Sequence, residues 1–169
     1  MMNNIYLIGM MGSGKSVVGE KVAAKLSMEH IDIDSEVEYA NQMDIQNIFE
    51  TMGEGKFREM ESAFFIEKAK QHNQIFSTGG GIILNDDCCD ILKNKGTTFF
   101  LKADCKVLLN RINEISKRPL LDVKNPIKSL SLIWEQREEL YYKSCHHIIE
   151  TDRLSIDEVV DELLKKVNI

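Results

Sequence analysis

Short apolar runs alternate along this chain with longer stretches in which apolar positions recur every three or four residues. Ile5-Tyr6-Leu7-Ile8 is brief, apolar and followed by glycine, the pattern of a buried parallel strand. Val17, Val18, Val22, Ala23 and Leu26 come next at helical spacing. His30 to Asp34 predicts a second strand, and the region from about Ser35 to Gln71 predicts helix. That helical region is interrupted near Met52 to Gly55, where two glycines are expected to end one helix before another begins. Ile75 to Thr78 predicts a third strand, running into Gly79-Gly80-Gly81. A helix is expected over Asp86 to Lys95, stopped by Gly96. Thr97 to Leu101 is the most β-prone segment of the chain, and Asp104 can cap the helix after it. Ser116 to Asn125 is polar and basic, contains Pro119 and precedes Pro126, and predicts a loop. Ser129 to Tyr142 predicts helix, His147 to Ile149 a last strand and Ser155 to Val167 a last helix. Five strands interleaved with helices imply an α/β protein of three layers, a parallel sheet covered on both faces.

At 169 residues the chain fits one domain, spanning 1–169, large enough to bury a sizeable core. A hydrophobic share of 43% and a charged share of 28% are those of a globular chain in water. The net charge of −6 argues against a nucleic-acid surface, which would be basic. No apolar run approaches the length of a membrane span, and no basic leader with a cleavage site precedes the first strand. The four cysteines include the adjacent pair Cys88-Cys89 and show no zinc spacing, which fits reduced thiols in the cytoplasm.

The chemistry begins at Gly9-Met10-Met11-Gly12-Ser13-Gly14-Lys15-Ser16, which has P-loop spacing between the first strand and the first helix. Such a loop turns backbone N–H groups toward phosphates, and side chains at Gly12 and Gly14 would obstruct that approach. The positive end of the helix faces the same anion. Lys15 can reach the β- and γ-phosphates, and the Ser16 hydroxyl can hold Mg²⁺. Asp32 and Asp34, two apart on the expected strand, would face one cleft: one serving the metal through water, the other accepting a proton from an attacking hydroxyl. Asp34 could equally cap the following helix. Ser77 is a further candidate near the metal. Arg58 and Glu61 lie three apart on a helix, so the acid can orient the guanidinium toward a substrate carboxylate; such pairs are also common on solvated faces. The triple glycine at 79–81 offers close backbone approach to a small polar substrate. Arg118, in the polar loop, could close over the phosphates. Arg137 could be a second anion ligand or a helix-face charge paired with Glu138 or Glu139.

Together these segments resemble the shikimate kinases, over nearly the whole chain. The family pattern runs through a P-loop (Gly9 to Ser16), D-x-D (Asp32 to Asp34), F-R-x-x-E (Phe57 to Glu61) and G-G-G (Gly79 to Gly81). It continues through R-P-L-L (Arg118 to Leu121) to R-x-x-x-Y (Arg137 to Tyr141). The resemblance implies a P-loop kinase fold with strand order 2-3-1-4-5, substrate-binding helices at about 35–62 and a lid at about 113–126. It implies ATP-dependent phosphorylation of the 3-hydroxyl of shikimate, in chorismate and aromatic amino acid biosynthesis, by a cytoplasmic monomer with Mg²⁺ as cofactor. Asp34, Arg58, Gly80 and Arg137 would hold shikimate, with Asp34 also the base. Gly12, Ser13, Gly14, Lys15, Ser16 and Val17 would hold ATP, with Arg118 on the phosphates and Arg111 and Arg153 around adenine. Lys15, Asp34 and Arg118 would be catalytic, and Ser16 and Asp32, through water, would serve the metal. Val17 stands where many members carry a hydroxyl residue. Another small-molecule kinase of this fold, such as a gluconate kinase, and a nucleotide-dependent switch are the competing readings.

Overall fold

The computed structural model describes residues 3–167. Five strands, β1 (Asn4–Ile8), β2 (Glu29–Asp32), β3 (Gln74–Ser77), β4 (Gly96–Lys102) and β5 (His147–Glu150), form one sheet in the order β2-β3-β1-β4-β5. Every pairing is parallel, with Ile5 opposite both Ile75 and Thr97. The helices are α1 (Lys15–Leu26), α2 (Ile33–Asn41), α3 (Ile45–Lys68), α4 (Asp86–Asn94), α5 (Cys105–Arg111), α6 (Pro126–Ser144) and α7 (Ile156–Lys166). Among the described residues no helix is long and apolar enough to cross a membrane.

The three layers follow from the two-residue repeat of the strands. On β1, Ile5 and Leu7 point to one face and pack with Val18 and Val22 of α1 and Val160 and Leu163 of α7. Tyr6 and Ile8 point to the other face, against Phe65 of α3, Leu92 of α4, Leu108 of α5 and Tyr141 of α6. Both faces are covered, so β1 reads as an unbroken apolar run. A smaller cluster of Val37, Ile48 and Phe57 joins α2 to α3 beside the sheet.

The boundaries differ from the sequence expectation in three places. β2 ends at Asp32, whose side chain caps α2 by accepting from the Ser35 N–H, so Asp34 lies in the first turn of a helix and not on a strand. The expected helix from 35 to 71 divides first at Gln42–Asp44, where Gln42 adopts a left-handed conformation (φ 50°) and Asp44 caps α3. The break expected near Met52 to Gly55 is also present: Gly53 (φ 82°, ψ 163°) is non-helical and separates two helical stretches within α3. Helix α6 starts at Pro126, three residues before the expected start, because proline at the first helical position gives up no intrahelical hydrogen bond.

Candidate active site

The P-loop connects β1 to α1 at the carboxyl edge of the sheet. Gly12 and Gly14 have φ of 78° and 90°, values that other residues adopt only at a cost. A methyl on Gly12 would lie 2.7 Å from the Leu108 carbonyl oxygen, so this glycine is also demanded by packing against α5. At Gly14 the nearest atom to such a methyl is Ile156 Cδ1 at 3.5 Å, and the backbone conformation alone sets the requirement.

Lys15 is buried, and its ammonium donates to the carbonyl oxygens of Gly9 and Met10 (both 2.9 Å) and to Ser13 Oγ at 3.3 Å. Burial pushes its pKa down to about 8, against the pull of Asp34 and Asp32. Ser16 Oγ donates to Asp32 Oδ2 at 2.5 Å. A hydroxyl and a carboxylate side by side next to a phosphate-binding loop are the oxygen ligands a hard cation takes. Among the described residues no three acidic, histidine or cysteine side chains cluster into a metal cage. Ser77 is engaged beneath α1, donating to the Lys15 carbonyl at 2.9 Å, and is not turned to that metal position.

Two adjoining cavities open along this edge. One, of about 540 Å³, is lined by the P-loop through Val17 and by Asp32, Thr151 and the start of α7. The other, of about 580 Å³, is lined by Phe49, Phe57, Arg58, Gly79–Gly81, Arg137 and the segment from Lys117 to Leu120. Asp34, Gly80, Arg111 and Arg118 line both, with Met11 and Gly12. A group passing from one cavity to the other passes between these residues.

The second cavity is built from side chains. Arg58 donates to Glu61 Oε2 at 2.7 Å and to Glu54 Oε1 at 3.2 Å, and lies 5.1 Å from the Phe57 ring centroid. Glu61 is only 1% exposed, so the pair is not a solvated helix-face contact. Arg137 is buried too. It donates to the Gly80 carbonyl at 3.2 Å, while Glu139 pairs with Lys143. The Tyr141 hydroxyl donates to the same carbonyl at 2.5 Å, and burial raises its pKa. Arg58 and Arg137 both line this cavity.

In this cavity, Gly79 and Gly81 leave the space that its side chains fill. A methyl on Gly79 would stand 1.8 Å from Glu61 Oε1 and 2.8 Å from Asp34 Oδ1; one on Gly81 would stand 2.3 Å from the Arg58 guanidinium carbon. Asp34 Oδ1 and Glu61 Oε1 are both buried without a hydrogen-bond partner. Burial, then the neighbouring charge of Glu61, pushes Asp34 up to about 7; burial also raises Glu61. A carboxylate so placed accepts a proton near neutrality.

The expected site residues therefore gather at one edge, apart from Arg153. Arg111 donates to the Thr151 hydroxyl (2.9 Å) and carbonyl (2.6 Å), fixing it against the nucleotide-side cavity. Arg153 is exposed on the turn after β5 and lines neither cavity. The triple glycine expected to offer close backbone approach lines the cavity and, at Gly79 and Gly81, also makes space for Glu61, Asp34 and Arg58. The roles without a sequence signal are Tyr141 as a tether and Phe49, brought in by the break between α2 and α3.

The model of the shikimate kinase family matches residues 11–168. A shikimate kinase of Thermodesulfovibrio yellowstonii is 37% identical over 165 residues, covering 98% of this chain and 95% of the relative. A structure of shikimate kinase from Acinetobacter baumannii in complex with shikimate superposes with a TM-score of 0.94 at 33% identity, covering 98% of this chain and 92% of that one. A gluconokinase from Sinorhizobium meliloti shares the fold at a TM-score of 0.61 and 19% identity, covering 96% and 90%.

Proposed function

Because this chain belongs to the shikimate kinase family, we propose that it transfers the γ-phosphoryl group of ATP to the 3-hydroxyl of shikimate, releasing ADP and shikimate 3-phosphate. The observation that carries this reading is the wall common to two cavities, with Asp34 and Arg118 on it. One cavity has a phosphate-binding loop; the other has two guanidinium groups and two unpartnered carboxylate oxygens, suited to an acid that also carries hydroxyls.

In this mechanism Arg58 and Arg137 grip the substrate carboxylate, with Glu61 and the Gly80 carbonyl fixing their planes. Asp34 Oδ1 accepts the 3-hydroxyl hydrogen. As that oxygen bonds to the γ-phosphorus, its proton passes to Asp34 and the bond to the β,γ-bridging oxygen breaks. Lys15 leaves the Gly9 and Met10 carbonyls for the phosphates, and Arg118 closes from 113–126, our lid segment. Both offset charge on the transferring group. Ser16, and Asp32 through water, would hold Mg²⁺, which screens the phosphate oxygens when bound. Adenine lies beside Arg111, with Arg153 on the neighbouring turn. The enzyme acts as a cytoplasmic monomer in chorismate and aromatic amino acid synthesis.

The test is ADP release by the purified protein with shikimate, gluconate, AMP or no acceptor. Turnover with shikimate alone is expected; equal or greater turnover with gluconate or AMP would contradict the reading.

A further inference from the structure

His30 and Ser77 take no part in the mechanism above, yet they connect the two elements that carry Ser16 and Asp32. Ser77, on β3, is 1% exposed and donates to the Lys15 carbonyl, the first of α1, at 2.9 Å. His30, on β2, places Nε2 2.9 Å from the same hydroxyl. Ser77 has one proton, already given to Lys15, so His30 must be the donor, with its hydrogen on Nε2. The register sets Ser77 opposite Asp32 and His30 opposite Ile75.

These bonds close a ring. From Ser16 the chain steps back one residue to the Lys15 carbonyl, crosses to Ser77 and then His30, and runs two residues along β2 to Asp32. There the Ser16–Asp32 hydrogen bond returns to the start. Position 19 has to be small for the ring to exist: a methyl on Gly19 of α1 would lie 2.6 Å from both His30 Nε2 and Ser77 Oγ. The two oxygens assigned to the cation thus stand on separate elements, α1 and β2, whose spacing the buried Ser77 and half-buried His30 fix from beneath.

We propose that His30 and Ser77 are positioning residues, holding the start of α1 against β2 so that Ser16 and Asp32 keep the spacing a nucleotide-bound divalent cation requires. This rests on the kinase reading above, and it predicts a nucleotide-side effect that a general loss of packing would not give. Ser77→Ala should raise KM for MgATP about tenfold, the scale on which groups behind a metal's ligands act, with KM for shikimate moving less than about twofold. His30→Leu should behave alike. His30→Gln, which keeps a donor near the Nε2 position, should stay near wild type.

The decisive readout is ADP affinity, measured calorimetrically with Mg²⁺ and with EDTA. The gain in affinity that Mg²⁺ confers should shrink about tenfold in Ser77→Ala and His30→Leu, with the affinity in EDTA little changed. An undiminished Mg²⁺ gain in both, an equal rise in the two KM values, or a His30→Gln no better than His30→Leu would overturn the proposal. If Ser77→Ala does not fold, the two His30 variants decide. A wild-type protein inactive on shikimate would refute the kinase reading, while ADP binding would still judge this one.

Discussion

The two cavities are built on opposite plans. The nucleotide side is centred on one continuous piece of chain, the P-loop, whose polar groups are satisfied as it stands: Lys15 is held by loop carbonyls and Ser16 by Asp32 of β2. The acceptor side draws Asp34 from α2, Arg58 and Glu61 from α3, the glycines after β3 and Arg137 from α6, and it leaves Asp34 Oδ1 and Glu61 Oε1 buried and unpartnered. A backbone-built site can satisfy its own polar groups before its ligand arrives. A site built from converging side chains keeps unmet hydrogen-bonding demand, and that demand supplies its selectivity, because an acceptor lacking the matching groups leaves it unmet.

The contrast can be broken from either side. The largest effect is expected from Lys15→Ala, which should lower kcat by about a hundredfold or more, since it removes a cation from the transferring group. Steady-state kinetics would show this, and near-normal turnover would remove Lys15 from the chemistry. Arg58→Ala should raise KM for shikimate by tens of fold and leave KM for ATP within about twofold. It also strands the buried Glu61 carboxylate, so denaturant titration should show a loss of about 3 kcal/mol. Equal changes in both KM values would point to a folding role alone. Gly79→Ala should displace Glu61 and Asp34 together, raising KM for shikimate about tenfold, in line with the cost of forcing a methyl into filled space.

Acidity sharpens the contrast. Asp34 sits near 7 in the folded protein, so kcat/KM for shikimate should fall as pH drops below about 7, where the base becomes protonated. Glu61 is the charged neighbour that contributes most to the rise, so Glu61→Gln should move that limb to lower pH; an unmoved limb would assign it to another group. Stability runs the other way. The folded state holds the Asp34 proton more tightly than the unfolded chain does, so this carboxyl's contribution is full below pH 4 and is lost as pH rises through about 7. The smallest effect is expected at Val17, exposed beside Ser16: Val17→Thr should change kcat and KM by less than about twofold.

How much of this was legible in the sequence follows the same division. The P-loop can be read outright because its chemistry is contiguous, and the centre of the sheet because β1, buried on both faces, is apolar from Ile5 to Ile8. Two-residue spacing on a strand predicts the pairing of Asp32 with Asp34 for the wrong geometrical reason. Both line the nucleotide-side cavity, but through a strand-to-helix turn that Asp32 itself caps, which two-residue spacing cannot distinguish from a continuing strand. The Arg58–Glu61 pair was visible as spacing, but its burial depends on how α3 meets the triple glycine, a tertiary fact. The choice between Arg137 as ligand and Arg137 as surface charge was likewise open until Gly80, 57 residues away, was seen to accept from it. Nothing local to Gly79 and Gly81 announces the side chains that fill the space they leave.

The position at which the phosphoryl group lands is the most direct test of an acceptor cavity built around Asp34. With ATP, Mg²⁺ and shikimate, the product's phosphorus should couple in ¹H–³¹P correlation spectra to the proton on carbon 3. Coupling to a proton at another hydroxyl-bearing carbon, or ADP formed with no phosphorylated shikimate, would contradict an acceptor cavity that delivers the 3-hydroxyl to Asp34.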